Sequence, residues 1–394
     1  MDSQTSPTPY SGIPQAEVAS KHIPELDGVR GLAILVVTLY RFSREIPTDS
    51  TVGTLIHSGL ALGERGVELF FVLSGFLITG VLLDARGTPR GFGNFIARRS
   101  LRIFPLYFAT LGFCVVFLPW LLKERNPFAA ATEQQFYLWT YLTNIRMSWL
   151  GEWCFGRLDH FWSLSVEEHF YLIWPLIVFA VPIRWLFKIA LVAAIASASS
   201  RMVFAATSNN GVAPDVLSCF RIDSMLIGAM LVLYFRSPHR ITSPDQHVKA
   251  MLFGSLIISM GASLINRRLF TIAETLWPIT SALLIMLVLQ SPSASRLPKL
   301  FRMKFLRTLG KYSYAMYVFQ NPLIPIIALF PLTVKIMQWM GGQNSIAAQI
   351  GYMIVMIMLT FVSAVLSWHF YEKHFLKLKR LFSTGSKSVN ARRL

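Results

Sequence analysis

The chain has 394 residues, of which 54% are hydrophobic and only 14% are charged, and its mean hydropathy is +0.50. This composition excludes a single soluble domain, in which about a quarter of the residues are charged. The charge is one-sided, because 37 Lys and Arg residues outnumber 20 Asp and Glu residues and give a net charge of +17. In a soluble chain this excess would suggest nucleic acid as a partner, so its meaning depends on where the basic residues lie relative to the apolar stretches.

The ends of the chain and its cysteines limit the possibilities further. Residues 1–22 are rich in Ser, Thr and Pro without an apolar core, which predicts a disordered tail and not a cleavable signal. A transmembrane domain is predicted over residues 23–376, followed by a basic tail at 377–394. The three cysteines are too few and too scattered for a disulfide framework or a CxxC metal site, and they leave only a pair of Cys154 with Cys219 open.

Ten apolar stretches are candidates for crossing a bilayer, whose core of about 30 Å requires about 20 apolar residues per helix. They predict an all-α polytopic membrane protein. The stretches cover residues 29–42, 66–83, 103–122, 161–181, 185–206, 216–235, 248–265, 269–289, 314–332 and 346–370. An aromatic stretch at 134–144 is too short to cross and predicts an interfacial or re-entrant segment.

The basic residues predict the orientation of these spans. Ten spans place both termini on one side, and sorting the loops by parity puts most Lys and Arg residues on that side. Because cytoplasmic loops are enriched in Lys and Arg, both termini are predicted to be cytoplasmic. The positive charge is then mainly a matter of topology, and no nucleic-acid partner is expected.

The first span carries charges at both ends. Asp27 and Arg30 lie at its predicted cytoplasmic end, and Arg41 and Arg44 lie at the other. Eleven residues separate Arg30 from Arg41 by about 16 Å along a helix. Either the helix presents cations at two depths of one cavity, or Arg41 extends to the nearest membrane interface. Asp27 at i−3 favours a structured pair for Arg30.

The third span begins with a run of arginines. Arg99 and Arg102 are three residues apart and share a helix face at the predicted cytoplasmic interface. Two guanidinium groups on one face suit a phosphate group from the cytosol. The alternative is ordinary anchoring to lipid headgroups.

Two carboxylates and two imidazoles lie at the predicted outer mouth of the fourth span. His160 and Glu167 are two helical turns apart, which predicts that they face one cavity, whereas Glu168 is predicted to point about 100° away. Glu167 is predicted to be a general base or to pair with an arginine across the bundle. A zinc site of His160, Glu167 and His169 is excluded because i and i+9 do not share a helix face.

Further polar residues occur in or beside the apolar spans. They are predicted to line the same cavity and bind substrate, or to form hydrogen bonds between helices. These residues are Trp162, Arg221, Asp223, Tyr317 and Gln320. Ser74 is not in a nucleophile elbow, because residue 72 is Val where Gly is needed, and its sequence favours helix packing.

Six motifs in a fixed order resemble the acyltransferase 3 family, bacterial integral-membrane enzymes that O-acylate sugars, exported polysaccharides and some antibiotics. The resemblance runs from residue 23 to 375. The motifs are LDGVRGLAILVV from Leu26, GVELFFVLSGFLITG from Gly66, ARRSLRIFPLY from Ala97, HFWSLSVEEHFYLIWP from His160, RIDSMLIGAML from Arg221 and LGKYSYAMYVFQNPL from Leu309.

The resemblance implies that acetyl-CoA or another acyl-CoA is a co-substrate taken from the cytoplasm, with no metal. The acyl group is delivered to a carbohydrate or glycolipid acceptor at the outer face of the bacterial inner membrane, among membrane lipids. The resemblance also implies that Arg30, Arg99 and Arg102 lie around the acyl donor, and that Glu167 is an important polar residue of the cavity.

The chain departs from the family at two positions. The first helix of the family normally carries a His eleven residues after the Arg, the candidate catalytic base, and here this residue is Arg41. Gln320 replaces the usual His of the ninth span. An arginine cannot accept a proton at neutral pH, so Arg41 cannot be a general base.

Two hypotheses follow from these departures. In the first, the chain is an O-acyltransferase in which Glu167, His160 or His57 is the base and Arg41 stabilises an oxyanion or binds an anionic acceptor. In the second, it is a non-catalytic carrier or exporter of an acylated or anionic substrate on the same scaffold. A shifted motif register is disfavoured by the ungapped run from Asp27 to Arg41. We expect the enzyme, with acetyl as the acyl group.

Overall fold

The computed structural model describes residues 23–44, 50–238, 246–265, 267–329 and 345–382, without the side chains of 264, 265 and 267–270. These residues are predominantly helical and contain no β-strand. The predicted tails at 1–22 and 383–394 lie outside the described residues. Cys114, Cys154 and Cys219 are free thiols, so the pair left open by the sequence is not formed.

The first half of the chain contains long helices and, between residues 118 and 150, a group of short ones. They are α1 (Pro24–Ser43), α2 (Thr51–Ala61), α3 (Gly66–Ala85), α4 (Gly91–Gly112), α5 (Leu118–Leu122), α6 (Ala129–Glu133), α7 (Gln135–Trp139), α8 (Thr143–Leu150) and α9 (Trp162–Ala180). A π-helical turn, Phe113–Phe117, joins α4 to α5. Helices α7 and α8 are too short to cross a membrane, as predicted for the stretch at 134–144.

The second half continues with long helices separated by short connections. They are α10 (Ile183–Thr207), α11 (Ala213–Val216), α12 (Ser218–Phe235), α13 (Gln246–Ile265), α14 (Arg267–Gln290), α15 (Arg296–Phe301), α16 (Lys304–Phe319), α17 (Leu323–Ala328), α18 (Ile346–Ser367) and α19 (Lys373–Lys377). A second π-helical turn, Trp368–Glu372, joins α18 to α19.

Within the described residues, six helical segments are long and apolar enough to cross a membrane. They are Thr51–Ala85, Gly91–Arg125, Ile183–Thr207, Ala213–Phe235, Thr271–Gln290 and Ile346–Leu381. The first and fourth predicted spans, α1 and α9, form helices, but their charged side chains lower their hydropathy. The seventh and ninth predicted spans include residues that are not fully described. The ten-span topology therefore stays a prediction.

Glycines bring two helix pairs into backbone contact. In α1 and α16, a Cβ on Gly31 would lie 1.9 Å from the carbonyl oxygen of Leu306, and one on Gly310 would lie 1.8 Å from that of Asp27. In α3 and α12, a Cβ on Gly75 would lie 1.8 Å from the carbonyl oxygen of Met225. Such close packing through small residues is typical of membrane helices. It holds α1 against α16 and α3 against α12, the helices that carry most of the charged groups described below.

Candidate functional site

Three cavities lie along α1 and α16. We call them the basic cavity, of about 590 Å³, the central cavity, of about 90 Å³, and the mixed-charge cavity, of about 760 Å³. Arg30 lines the first two, and Arg41, eleven residues later on the same helix, lines the third. The sequence left open whether one helix presents cations at two depths of one cavity. The structure places the two arginines in different cavities, with the central cavity between.

The basic cavity is lined by cations from three parts of the chain. Arg30 comes from α1 and Arg102 from α4, and three more come from the first half of α16: Lys304, Arg307 and Lys311. Asp27 and Glu372 are the acidic side chains that line it. Five cations against two carboxylates give this cavity a positive potential that suits a polyphosphate group. Lys304, Arg307 and Lys311 were not singled out from the sequence, where they resemble ordinary anchoring residues.

The central cavity contains a hydrogen-bonded network around Glu167. The Nη2 atom of Arg99 lies 3.3 Å from Oε2 of Glu167, and the hydroxyl of Tyr171 donates to the same oxygen at 2.6 Å. The hydroxyl of Ser74 donates to Oε1 at 3.3 Å. The Arg99 guanidinium also contacts the Tyr171 hydroxyl and lies 4.0 Å from the centre of its ring. The Glu–Arg pair across the bundle, which the sequence left as an alternative to a general base, is therefore formed.

This pair corrects one expectation about depth. Arg99 was expected at the cytoplasmic interface and Glu167 at the opposite mouth, yet their side chains lie 3.3 Å apart. Because α4 begins at Gly91, Arg99 is eight residues, or about 12 Å, inside its helix. Glu167 is likewise more than a turn inside α9, which begins at Trp162. Both side chains line the central cavity.

Arg41 lines the mixed-charge cavity and has no carboxylate within 4 Å among the described residues. Its Nε atom is buried without a hydrogen-bond partner, and its guanidinium lies 5.5 Å from the centre of the Tyr40 ring. Arg44, one turn further, is exposed. Arg41 is thus a cavity-lining residue, whereas Arg44 has the surface position that a purely anchoring arginine would occupy.

A network of buried ion pairs forms one wall of the mixed-charge cavity. Arg221 contacts Glu68 directly, and its Nη1 atom lies 2.9 Å from Oε2 of Glu274. The Nη1 atom of Arg65 lies 3.5 Å from the other oxygen of Glu274. These four side chains are less than a tenth exposed. Arg221 also lies over the ring of Trp162, with 5.7 Å between the guanidinium and the ring centre.

The network continues behind the wall through a fully buried arginine. The Nη2 atom of Arg201 lies 2.7 Å from Oδ2 of Asp223 and 2.6 Å from the hydroxyl of Thr275, and its Nε atom lies 3.7 Å from Glu274. Asp223 is therefore an ion-pair partner and is not among the residues lining the mixed-charge cavity. Sequence reasoning missed Arg201 and Glu274. Their signal was present, since each is a charge in or near an apolar stretch.

Tyr317 and His160 lie together beside the cavities. The Tyr317 hydroxyl donates to the carbonyl oxygen of His160 at 2.9 Å and contacts the hydroxyl of Ser163, and the two rings are 5.5 Å apart. Both ring nitrogens of His160 are buried without a hydrogen-bond partner. Burial and the positive charge of Arg41 lower the pKa of His160 to about 3, so its imidazole is neutral. His160 does not line any of the three cavities, in contrast to the expectation that it faces the same cavity as Glu167.

Gln320 and His57 also lie away from the three cavities. Gln320 is fully buried, and its Oε1 atom lies 3.4 Å from the hydroxyl of Thr38, so it joins the end of α16 to α1. His57 is on α2 and partly buried.

Of the predicted substrate-binding residues, Trp162, Arg221 and Tyr317 line the mixed-charge cavity. Within the described residues, no group of three or more His, Cys, Asp or Glu side chains is arranged to hold a metal.

The fold and these cavities define a helical multi-pass membrane protein with charged cavities in its interior. Residues 23–371 match the acyltransferase 3 family, described as "Acyltransferase domain", and the chain belongs to this family. No solved structure matches it.

Three curated relatives are similar over most of this chain. It is 24% identical over 382 residues to "O-acetyltransferase OatA" of Staphylococcus aureus (strain NCTC 8325 / PS 47), covering 89% of this chain and 57% of the relative. It is 28% identical over 378 residues to "Putative peptidoglycan O-acetyltransferase YrhL" of Bacillus subtilis (90% and 55%). It is 28% identical over 377 residues to "Peptidoglycan O-acetyltransferase OatA" of Listeria monocytogenes (89% and 55%). The chain spans a little over half the length of these relatives.

Proposed function

We propose that this chain is a membrane-embedded O-acyltransferase that moves an acyl group, most simply acetyl, from cytoplasmic acyl-CoA to a carbohydrate hydroxyl outside the cytoplasm. The observation that carries the proposal is the chain of three cavities, in which Arg30 and Arg102 line both the basic and the central cavity. A donor held by its phosphates in the basic cavity would extend its thioester past these two arginines into the central cavity.

The basic cavity is the proposed donor site. Coenzyme A carries a pyrophosphate and a further phosphate, and the cations that line this cavity provide charge-assisted hydrogen bonds for them. Arg99 would lie at the inner end of the donor, where its guanidinium stabilises charge on the thioester oxygen during transfer.

The mixed-charge cavity is the proposed acceptor site. Its volume is in the range of small-ligand sites. Trp153 and Trp162 provide flat apolar faces for a sugar ring, and Asn209 and Asn210 provide hydrogen-bonding groups for hydroxyls. Because two of the relatives are named for peptidoglycan, a peptidoglycan-type glycan or its lipid-linked form is the acceptor class we propose.

In the proposed reaction the acceptor hydroxyl attacks the thioester carbonyl, its proton passes to a base, the C–S bond breaks and coenzyme A leaves as the thiol. Glu167 is the proposed base, because it is the candidate that lines the central cavity. Tyr171, Ser74 and Arg99 hold its carboxylate in place by hydrogen bonds. His160 is a weaker candidate, because it lines none of the three cavities and its lowered pKa makes it a poor proton acceptor. Arg41 would stabilise negative charge on the acceptor side.

The proposal includes ten membrane spans, with both termini in the cytoplasm of a bacterial inner membrane. In this orientation the positive cavity at the start of α1 faces the cytoplasm, where acyl-CoA is made. The excess of basic residues on the side of the termini supports it.

Turnover by the purified protein in detergent tests the proposal. With acetyl-CoA and soluble glycan strands, an enzyme releases coenzyme A thiol in an acceptor-dependent way and labels the glycan with acetyl. Arg102→Gln should abolish this release, whereas the matched variant Arg98→Gln should keep it, because Arg98 contacts the backbone of Lys379 and Phe382 instead of a cavity. No release with any envelope glycan would support the carrier on the same scaffold.

A further inference from the structure

The three cavities follow one another in the same order along two neighbouring helices. On α1, Arg30 belongs to the basic and central cavities and Arg41 to the mixed-charge cavity. On α16, Lys304 belongs to the basic cavity, Tyr314 to the basic and central cavities, and Tyr317 to the central and mixed-charge cavities. Since α1 is 20 residues, or about 30 Å, long, this series extends over the thickness of a bilayer core.

The two boundaries between the cavities differ in chemistry. Arg30, Arg102 and Tyr314 line both the basic and the central cavity. These are polar groups that water can hydrate. Val67 and Tyr317 line both the central and the mixed-charge cavity. The second boundary is therefore one apolar side chain and one aromatic ring.

The Tyr317 ring is fixed in this boundary. Its hydroxyl is held by the carbonyl oxygen of His160, at 2.9 Å, and by the hydroxyl of Ser163. Its ring packs on the rings of His160 and Phe70, with 5.5 and 6.5 Å between centroids. Only 7% of its surface is exposed. Because both the hydroxyl and the ring have partners in the protein, the side chain closes the boundary without needing a ligand.

We infer that Tyr317 is the barrier between the two large cavities: it keeps water and ions from passing between them, and only the hydroxyl of a bound acceptor passes it to reach the thioester. The part that concerns the acceptor rests on the proposed function, whereas the barrier to water and ions does not. An open boundary would let water attack the thioester carbonyl in place of the acceptor. The C–S bond would then break, and the products would be the free thiol and the free carboxylic acid.

Ion leakage tests the barrier without any donor or acceptor. Purified protein is reconstituted in liposomes that enclose a pH-sensitive dye, and proton entry is followed after an external pH step. Tyr317→Ala should leak severalfold faster than the unaltered protein, and Tyr317→Phe, which keeps the ring, should remain tight. Tyr312→Ala is the matched control, because Tyr312 is a buried tyrosine on the same helix that packs on Phe361 and Trp368 instead of lining these cavities.

Equal leak rates for Tyr317→Ala and the unaltered protein would overturn the inference, and so would equal leakage of the Tyr312 and Tyr317 variants. If Tyr317→Ala does not fold, Tyr317→Leu replaces it, since a smaller apolar side chain still opens the boundary.

Acetyl-CoA hydrolysis without acceptor separates this inference from the proposed function. We expect Tyr317→Ala to raise acceptor-independent thiol release severalfold while acetyl transfer to glycan falls. If the unaltered protein transfers acetyl but the variant neither leaks nor hydrolyses, the inference is wrong and the proposed function stands. If the unaltered protein releases no thiol with any acceptor, the proposed function is wrong, and the leak assay still decides the barrier.

Discussion

Arg41 shows how a single residue separates the two hypotheses about this chain. It replaces the histidine expected from the family resemblance, and it lines a cavity with its Nε atom buried and unpaired. An arginine that only anchors a helix would have the position of Arg44, which is exposed. The placement of Arg41 is consistent with a role toward a ligand of the mixed-charge cavity.

We expect Arg41→Ala to reduce acceptor-dependent acetyl transfer by about tenfold or more, because a hydrogen bond to a charged group contributes about 1.5–3 kcal/mol. Expression and the elution profile in detergent should be unchanged, since Arg41 forms no ion pair with the described part of the chain. Arg44→Ala is the control and should keep its activity. Normal transfer by Arg41→Ala would show that the residue only anchors the helix.

Glu167 is the second residue whose role a measurement of activity can decide. If it is the base, Glu167→Gln should lower kcat by about 10²-fold or more, the usual contribution of general acid–base catalysis. Glu168→Gln is the matched control, because Glu168 is a buried carboxylate on the same helix that does not line the central cavity. Full transfer by Glu167→Gln would show that Glu167 is not the base but positions Arg99. His160 would then be the next candidate to test.

At the scale of elements, the site depends on helices held at fixed distances by glycine contacts and buried ion pairs. α1 packs on α16 through Gly31 and Gly310, and α3 packs on α12 through Gly75 and Gly228. The ion pairs of Glu274 then tie α14 to α12. These two kinds of contact position Arg30, Arg41 and the cavity wall.

Gly310→Ala should prevent close packing of α1 and α16, because its Cβ would lie 1.8 Å from the Asp27 carbonyl oxygen, a backbone atom that cannot rotate away. Overpacking of this kind costs about 1–3 kcal/mol or more. We expect a lower melting temperature in detergent and less folded protein. Gly93→Ala is the control, since nothing lies within 4 Å of its Cβ position. Equal stability of the two variants would show that the helices separate at little cost.

Glu274→Gln should be strongly destabilising, by about 3–5 kcal/mol, because it neutralises the carboxylate that Arg65, Arg201 and Arg221 share and leaves buried positive charge uncompensated. Asp84→Asn removes a comparable pair with Arg236, whose atoms lie 2.7 Å apart, but Asp84 is 43% exposed. Exposed pairs contribute about 0–1 kcal/mol, so this variant should melt near the unaltered protein. Thermal unfolding in detergent compares the two, and an equal shift for both would contradict a structural role of the buried network.

At the scale of the whole molecule, the charge is distributed between two cavities of different character. The basic cavity collects five cations against two carboxylates, which suits a phosphate-bearing ligand, whereas most buried charges of the mixed-charge cavity compensate one another. This asymmetry gives the molecule a donor end and an acceptor end in the proposed reaction.

The combined change of Lys304, Arg307 and Lys311 to Gln should raise the KM for acetyl-CoA by about tenfold or more, since charge-assisted hydrogen bonds contribute about 1.5–3 kcal/mol each. The value of kcat should change little, because the phosphates lie far from the reacting bond and bind equally before and during transfer. Arg184→Gln with Lys188→Gln, on α10 away from the basic cavity, is the control. An unchanged KM, or an equal rise in the control, would place the donor elsewhere.

The apolar stretches of the sequence predicted the helices well, because such a stretch is defined by residues that are close together in the chain. All ten apolar stretches overlap helices of the described chain, and the short stretch at 134–144 does not cross. The functional assignments were harder to predict. Arg99 and Glu167 were predicted at opposite membrane interfaces, and His160 was predicted in the same cavity as Glu167. Spacing in the sequence shows which residues share a helix face, but it does not show how deep a residue lies or which helix that face packs against.

What the sequence by itself determined is the all-α membrane architecture and membership of the acyltransferase 3 family, since both depend on composition and on motifs that are continuous in the chain. What only the tertiary structure decided is which charges meet. Arg201 and Glu274 became part of a buried network, Lys304 joined Arg30 and Arg102, and Arg41 came to line a cavity with no carboxylate within 4 Å among the described residues. The physical reason is that a charge in an apolar interior is stable only with a partner or water, and in this fold its partners come from helices far apart in the sequence.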